Sequence, residues 1–129
     1  TLLWKSFSPV PFTTYFLDVG QGDCAVVRTP SRKVIVVDAG GLKNFDTGSR
    51  VLVPFLRSLG VSKVDALLLS HGDYDHAGGA GALARNMKIE RIILPETNTM
   101  RQQRNTCPTA HAALSASVLK EAGAQPRSL

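Results

Sequence analysis

Only two cysteines occur among the 129 residues, Cys24 and Cys107. Their spacing matches neither a disulfide framework nor a cysteine-based zinc site, so a small disulfide-stapled fold and a zinc ribbon are excluded. Cys24 lies in an apolar segment, which predicts a small buried side chain. Cys107 lies in a polar stretch, and a disulfide between the two cysteines stays an open alternative.

Long apolar runs are also missing. No stretch approaches the roughly 18 consecutive apolar residues of a membrane-spanning helix, so the sequence predicts no membrane span. The chain begins with Thr1 rather than Met and has no basic start of the kind that opens a signal peptide. We therefore expect no signal peptide, and we interpret the chain as a piece of something longer.

The composition has no strong bias and the sequence has no internal repeat, which excludes disordered and collagen-like chains. The length predicts one domain with a real core. The formal net charge is +5, and most of the excess lies from Arg85 onward. This charge suits an anionic partner such as DNA, but it suits an ordinary solvated surface equally well.

The apolar pattern predicts alternating strands and helices. Residues 1–12, which contain two prolines, predict a lead-in or linker. Residues 34–37 are all β-branched, which predicts a strand buried on both faces. Ser49 is the predicted cap of a helix that Gly60 ends. The predicted strands cover residues 13–19, 24–29, 34–37, 64–69 and 89–94; the predicted turns 20–23 and 30–33; the predicted helices 49–59, 79–87 and about 110–122; the predicted loop 96–108.

This order, three antiparallel strands followed by alternating helices and strands, predicts an α/β fold with helices covering a sheet. The stretch HGDYDH at residues 71–76 follows a predicted buried strand. Loops after the carboxyl ends of strands usually carry the site in α/β sheets. The HGDYDH stretch is therefore the main candidate for a functional site.

The spacing within this stretch predicts two metal sub-sites. His71 and Asp73 are two residues apart and would point to one side of an extended chain, while the following glycines can fold Asp75 and His76 toward a second point. Two such pairs suit a two-metal centre with ions about 3.5–4 Å apart, which would activate water and polarise a phosphoryl or carbonyl oxygen. Mixed histidine and carboxylate ligands favour zinc, manganese or iron over calcium.

Two other interpretations compete with this one. An EF-hand loop starting at Asp73 would place Gly78 at the required sixth position. However, Ala77 and Ala84 would then occupy positions five and twelve, which need oxygen ligands, so we reject it. The remaining alternative is a polar loop whose aspartates cap the next helix.

Supporting residues are predicted around the stretch. Asp38 ends an aliphatic strand and could accept a hydrogen bond from a ligand histidine; the alternative is an ordinary strand-end aspartate. Asp23 could do the same, or could be a hairpin-turn residue. Ser70 and Tyr74 line the pocket or are exposed loop side chains. His111 is interpreted as a surface or core histidine rather than a ligand.

Three segments in this order resemble the metallo-β-lactamase superfamily: FLDVGQGD at residues 16–23, VVDAGG at 36–41 and LSHGDYDHAGG at 69–79. Within it they look most like the ComEC family of DNA-uptake competence proteins, and the resemblance covers about residues 13–95. The superfamily pattern is His-x-His-x-Asp-His. His71, Asp75 and His76 match it, whereas Asp73 stands where the second His would be, as is usual in the ComEC family.

The resemblance implies the fold class, half of a metallo-β-lactamase-like αββα sandwich with a mixed sheet and flanking helices. Residues 13–129 would be the N-terminal part of the domain. The second half of such domains supplies a further His, a bridging Asp and a final His, and His111 matches none of these. We therefore expect weak metal binding and little activity from this chain alone, and an exposed inner sheet face prone to association.

The resemblance also implies residue roles and two divalent ions, Mn²⁺ or Zn²⁺. His71 and Asp73 would bind the first ion, and Asp75 and His76 the second. Asp75 would also act in catalysis by orienting the nucleophilic water. Asp38 matches the superfamily's early supporting Asp. The hard oxygen of Asp73 in place of an imidazole shifts the expected preference toward manganese.

The function implied is metal-dependent hydrolysis of phosphodiesters in single-stranded DNA during uptake. One alternative is hydrolysis of a small thioester or lactam, against which Asp73 counts; another is a truncated, non-catalytic module. The remainder of a larger membrane protein is the other expected partner. The expected location is a domain at the bacterial inner membrane, or otherwise the cytoplasm.

Overall fold

The structure is a computed structural model that describes residues 10–94 of the chain. The predicted loop at 96–108, the predicted helix at 110–122, Cys107, His111 and most of the lead-in lie outside the described residues. Within 10–94 the elements are β1 (Thr13–Phe16), β2 (Ala25–Arg28), β3 (Val34–Val37), a π-helical segment (Gly48–Leu52), α1 (Val53–Ser58), β4 (Lys63–Val64), β5 (Ala66–Leu68), α2 (Tyr74–Ala77), α3 (Ala80–Asn86), β6 (Lys88–Ile89) and β7 (Ile92–Ile93).

Five strands form one mixed sheet in the order β1-β2-β3-β5-β7. β1, β2 and β3 are antiparallel neighbours, whereas β5 and β7 join the sheet in parallel. The predicted hairpin is confirmed, and Gly20 and Gly22 in its turn have φ angles of 80° and 77°, which glycine adopts without steric cost. The predicted α/β class is confirmed as well.

The first helical region begins earlier than predicted, as the π-helical segment that runs directly into α1. The predicted cap by the Ser49 side chain is wrong: Asp46 Oδ1 accepts a hydrogen bond from the Ser49 N–H at 2.9 Å instead. Gly60, at φ 72°, ends the region as predicted. Among the described residues, no helix is long and apolar enough to cross a bilayer.

The core lies on one face of the sheet. One row of side chains crosses all five strands on this face and packs against Leu52, Leu56 and Leu83 of the helices; it consists of Tyr15, Val26, Val36, Leu67 and Ile92. The row on the opposite face is half-buried or exposed and consists of Phe16, Ala25, Val37, Leu68 and Ile93. The prediction that β3 is buried on both faces is therefore wrong for the described part of the chain, where the buried core forms on one face.

The predicted strands at 64–69 and 89–94 each divide into two short strands. The first of these strands divides at Asp65, whose N–H donates to the Val34 carbonyl at 2.8 Å while its Oδ2 accepts from the Val34 N–H at 2.8 Å. Asp65 thus bonds the start of β3 and separates β4 from β5. Its Oδ1 also lies 3.0 Å from Lys33 Nζ.

Replacing Asp65 by asparagine is expected to lower the free energy of unfolding at pH 7 by about 1.5–3 kcal/mol, the usual range for a hydrogen bond to a charged group. Burial raises the pKa of Asp65, but the Val34 N–H and the charges of Lys33 and Lys63 outweigh it and lower the pKa overall. A lowered folded pKa stabilises the protein above the unfolded pKa near 4, and this stability is lost as pH falls through the folded pKa. Urea unfolding should therefore show a difference between the two proteins that is full at pH 7 and shrinks below about pH 4. A difference that is constant with pH would contradict this account.

Candidate metal centre

The candidate site lies where two parallel strands end at the same sheet edge. Val37 of β3 is paired with Leu68 of β5, and the N–H of Asp38 donates to the Leu68 carbonyl at 2.8 Å. The chain after β3 therefore runs beside the chain after β5. This pairing brings Asp38 next to residues 70–76, which are more than thirty positions away in the sequence.

Backbone contacts hold the loop at 71–79 in place. The Ala39 N–H donates to the His76 carbonyl at 2.7 Å. In the hairpin turn, Gly22 lies so close to the Asp75 backbone carbonyl that a Cβ there would overlap it, and Gly41 has the same relation to the Tyr74 carbonyl. Glycine is needed at both positions because two backbone segments meet without room for a side chain.

Three side chains of the HGDYDH stretch converge. His71, Asp75 and His76 each offer one ligand atom, and these atoms all lie within 4.8 Å of one another. The two imidazole rings are 3.9 Å apart between centroids, at an interplanar angle of 46°. Such a group of two nitrogens and one carboxylate matches the donor set of zinc and other first-row metals.

The carboxylates also pair with the imidazoles individually. Asp73 Oδ2 lies 3.4 Å from His71 Nε2, and Asp75 Oδ2 lies 3.7 Å from His76 Nε2. Two atoms bound tetrahedrally at about 2.1 Å from one zinc ion lie about 3.4 Å apart, so both spacings fit ligands that share an ion. Asp73 precedes α2 but makes no side-chain capping hydrogen bond, which counts against the interpretation that it is there to cap the helix.

Asp38 is the buried anchor of the site, with a side chain that is 6% exposed. Its Oδ1 accepts from the Ser70 N–H at 2.7 Å, and its Oδ2 accepts from the Ser70 hydroxyl at 2.7 Å. The same Oδ2 lies 3.0 Å from His76 Nδ1. Asp38 has a φ of 55°, a left-handed conformation that non-glycine residues adopt only where the surroundings compensate for it.

The acidic residues around His76 change the pKa of its imidazole. Burial lowers the pKa of His76, but the hydrogen bond to Asp38 and the negative charges of Asp38, Asp75 and Asp23 outweigh it and raise the pKa overall. Asp23 contributes through its charge alone: its exposed Oδ2 is 4.0 Å from His76 Nδ1, beyond hydrogen-bond distance. Its backbone carbonyl accepts from the Gly40 N–H at 2.9 Å.

Cys24 is a free, buried thiol, as its apolar context predicted. Burial, and then the negative charge of Asp38, raise the pKa of this thiol to about 12. The thiol form is therefore favoured over the thiolate that binds metals, and Cys24 packs as a small core residue.

Sequence reasoning gave too little weight to Ser70, which it interpreted as a pocket-lining or exposed loop residue. Its hydroxyl oxygen contacts both Asp38 and His71 Nδ1, the latter at 2.8 Å. The available signal was its place directly before a candidate ligand, at the end of a strand. The close approaches at Gly22 and Gly41 had no local signal, because their partners lie more than thirty positions away.

The family model of the metallo-beta-lactamase superfamily matches residues 17–106. The chain belongs to this superfamily. Among curated proteins, it is 36% identical to ComE operon protein 3 of Bacillus subtilis (strain 168), over 62% of this chain and 12% of that protein. It is 41% identical to Competence protein ComA of Neisseria gonorrhoeae, over 53% of this chain and 9% of that protein. The expected resemblance to ComEC-family domains is confirmed, and the chain spans about a tenth of the length of these relatives.

A solved structure agrees with the fold. The metallo-beta-lactamase of Cronobacter sakazakii, as the HARLDQ motif mutant S60, superposes with a TM-score of 0.51 at 22% identity, over 74% of this chain and 38% of that one. The predicted metallo-β-lactamase-like fold class, with its mixed sheet and flanking helices, is confirmed.

Proposed function

We propose that this superfamily member is a metal-dependent hydrolase that holds two divalent ions, Mn²⁺ or Zn²⁺. His71 and Asp73 would bind the first ion, and Asp75 and His76 the second. The observation that carries the metal-binding part of the proposal is the convergence of His71, Asp75 and His76 within 4.8 Å, a group that includes residues of both proposed sub-sites. The spacings of 3.4 Å and 3.7 Å within the two histidine–aspartate pairs support the division into two sub-sites.

When bound, two ions of this kind activate a water molecule and neutralise charge on a phosphoryl or carbonyl oxygen. Asp75 is the residue we assign to catalysis, because its carboxylate is 48% exposed and can orient a water molecule at the surface of the site. Asp38 supports the site by fixing the His76 ring, and Asp23 adds negative charge nearby.

The substrate we propose is the phosphodiester backbone of single-stranded DNA. The similarity to competence proteins supports DNA, and Asp73 supplies a hard oxygen suited to manganese. The net charge of +5 is compatible with a polyanion. By the same similarity, we propose that the chain acts as part of a larger protein associated with the bacterial inner membrane.

Removing a ligand is expected to abolish most DNA cleavage. His71→Ala and Asp75→Ala should each reduce the rate by more than about 100-fold, beyond the 10–100-fold typical of outer-shell partners. Each ion has two proposed protein ligands where catalytic sites commonly have three, so activity will be low. The assay should therefore use protein in excess over labelled single-stranded DNA, with Mn²⁺ or Zn²⁺.

Asp18→Asn is the matched control, because Asp18 is an exposed carboxylate in the β1–β2 turn that accepts a hydrogen bond from the Gly20 N–H. It should cleave at the unaltered rate. Cleavage of a thioester or lactam but not of DNA would replace the proposed substrate with a small molecule. Absence of cleavage together with absence of metal binding by calorimetry would identify a non-catalytic module.

A further inference from the structure

We propose that Ser70 is a positioning residue that fixes the tautomer of His71, so that Nδ1 carries the proton and Nε2 is left as the electron-pair donor. The inference deepens the proposed function, because it rests on His71 being a metal ligand. It is carried by four hydrogen bonds that join Asp38, Ser70, His71 and His76 into one network.

Counting protons in this network determines the tautomer. The Ser70 hydroxyl has one hydrogen, and an ionised carboxylate only accepts. Because Ser70 Oγ lies 2.7 Å from Asp38 Oδ2, the hydroxyl hydrogen must lie between these two oxygens. A contact this short without a hydrogen would place two electron-rich oxygens against each other.

The Ser70 hydroxyl oxygen then directs an electron pair toward His71 Nδ1, which lies 2.8 Å away. A hydrogen bond at this distance therefore requires the proton to be on Nδ1 of His71. The other ring nitrogen, Nε2, points to Asp73 Oδ2 at 3.4 Å. It is the atom through which His71 would bind an ion.

The Asp38 carboxylate thus fixes the tautomer of both imidazole rings, one directly and one through Ser70. His76 Nδ1 meets Asp38 Oδ2 directly at 3.0 Å, while His71 is reached through the Ser70 hydroxyl. Asp38 also accepts a hydrogen bond from the backbone N–H of Ser70. This second bond fixes the position from which the Ser70 side chain extends. A residue without a hydroxyl at position 70 would leave His71 without this acceptor and leave His76 unchanged.

The first test is performed without metal. Long-range ¹H–¹⁵N spectra of the 129-residue chain near pH 8 report the protonated nitrogen of each neutral histidine ring. We expect the Nδ1–H pattern at both His71 and His76 in the unaltered chain. In Ser70→Ala, His71 should shift to a mixture or to Nε2–H while His76 keeps its pattern; in Ser70→Thr, which retains the hydroxyl, both should keep it.

The second test measures affinity for Zn²⁺ and Mn²⁺ by calorimetry. Ser70→Ala should weaken binding about tenfold, the lower end of the effect of outer-shell partners, and Ser70→Thr should restore it. The proposal is overturned if His71 keeps the Nδ1–H pattern in Ser70→Ala, or if Ser70→Thr loses that pattern. If Ser70→Ala does not fold, the Ser70→Thr spectra and the pattern in the unaltered chain still decide.

These readouts separate the inference from the proposed function. The tautomer is measured in the absence of metal and DNA, so a chain that fails to cleave DNA can still show the predicted change. Conversely, DNA cleavage that depends on His71 and Asp75, with no tautomer change in Ser70→Ala, would sustain the function and remove the role of Ser70.

Discussion

Gly22→Ala is expected to weaken divalent-metal binding by at least about tenfold, comparable to the loss of an outer-shell partner. The added Cβ would overlap the backbone carbonyl of Asp75. Neither side of this contact is a flexible side-chain end, so the hairpin turn and the loop at 71–79 must move apart. Because Asp75 and His76 are adjacent, the shift displaces both proposed ligands of the second ion. Calorimetric titration with Zn²⁺ and Mn²⁺ measures the effect.

Gly20→Ala is the matched control in the same turn. The φ angle of Gly20 is 80°, against 77° for Gly22, so both alanines carry the same backbone strain of about 1–2 kcal/mol. A Cβ at Gly20 meets only Leu42 Cδ2 at 3.6 Å, an ordinary contact. Unfolding in urea should therefore show some destabilisation of both variants, whereas only Gly22→Ala should lose metal affinity. Equal affinities in the two variants would show that the turn does not position Asp75.

The second large effect is expected at Asp38. Asp38→Asn should weaken metal binding by about 10–100-fold, the range for partners that orient ligating histidines. Asparagine tolerates the φ of 55° and keeps the size of the side chain, so the backbone stays in place. What is lost is a charged acceptor: an amide cannot accept from the Ser70 N–H, the Ser70 hydroxyl and His76 Nδ1 with the strength of a carboxylate.

Comparison with Asp38→Ala separates orientation from folding. Alanine removes all three acceptor contacts and is strained at this φ. It should lower the free energy of unfolding by at least about 3 kcal/mol, because a hydrogen bond to a charged group usually contributes about 1.5–3 kcal/mol. Asp38→Asn should be destabilised less while it still loses metal affinity. An Asp38→Asn variant that binds metal as well as the unaltered chain would show that Asp38 is only a structural strand-end residue.

The sequence alone was sufficient for features set by neighbouring residues. The glycines at positions 20 and 22 predicted the hairpin turn, and Gly60 predicted the end of the first helical region. The HGDYDH stretch predicted where along the chain candidate ligands lie, and three of its side chains, His71, Asp75 and His76, come together in the structure. Local chemistry determines each of these features.

Features that depend on distant partners could not be predicted in this way. Residues 64–69 look like one apolar strand, but Asp65 divides them because its N–H and carboxylate both bond Val34. Ser49 looks like a helix cap, but Asp46 accepts the bond. Likewise, no residue near Gly22 in the sequence indicates that Gly22 contacts the Asp75 backbone. In each case the deciding contact becomes visible only when the chain is folded.

The parallel pairing of β3 with β5 couples the candidate metal centre to the folding of the sheet. Asp38 lies beside Ser70 and His76 only while Val37 is paired with Leu68, so an unfolded chain does not present the oriented ligand set. An ion that binds this set selects the folded state, and at 100 times its dissociation constant it would add about 2.7 kcal/mol to stability. Ion binding and the pairing of β3 with β5 are then coupled in a single folding equilibrium.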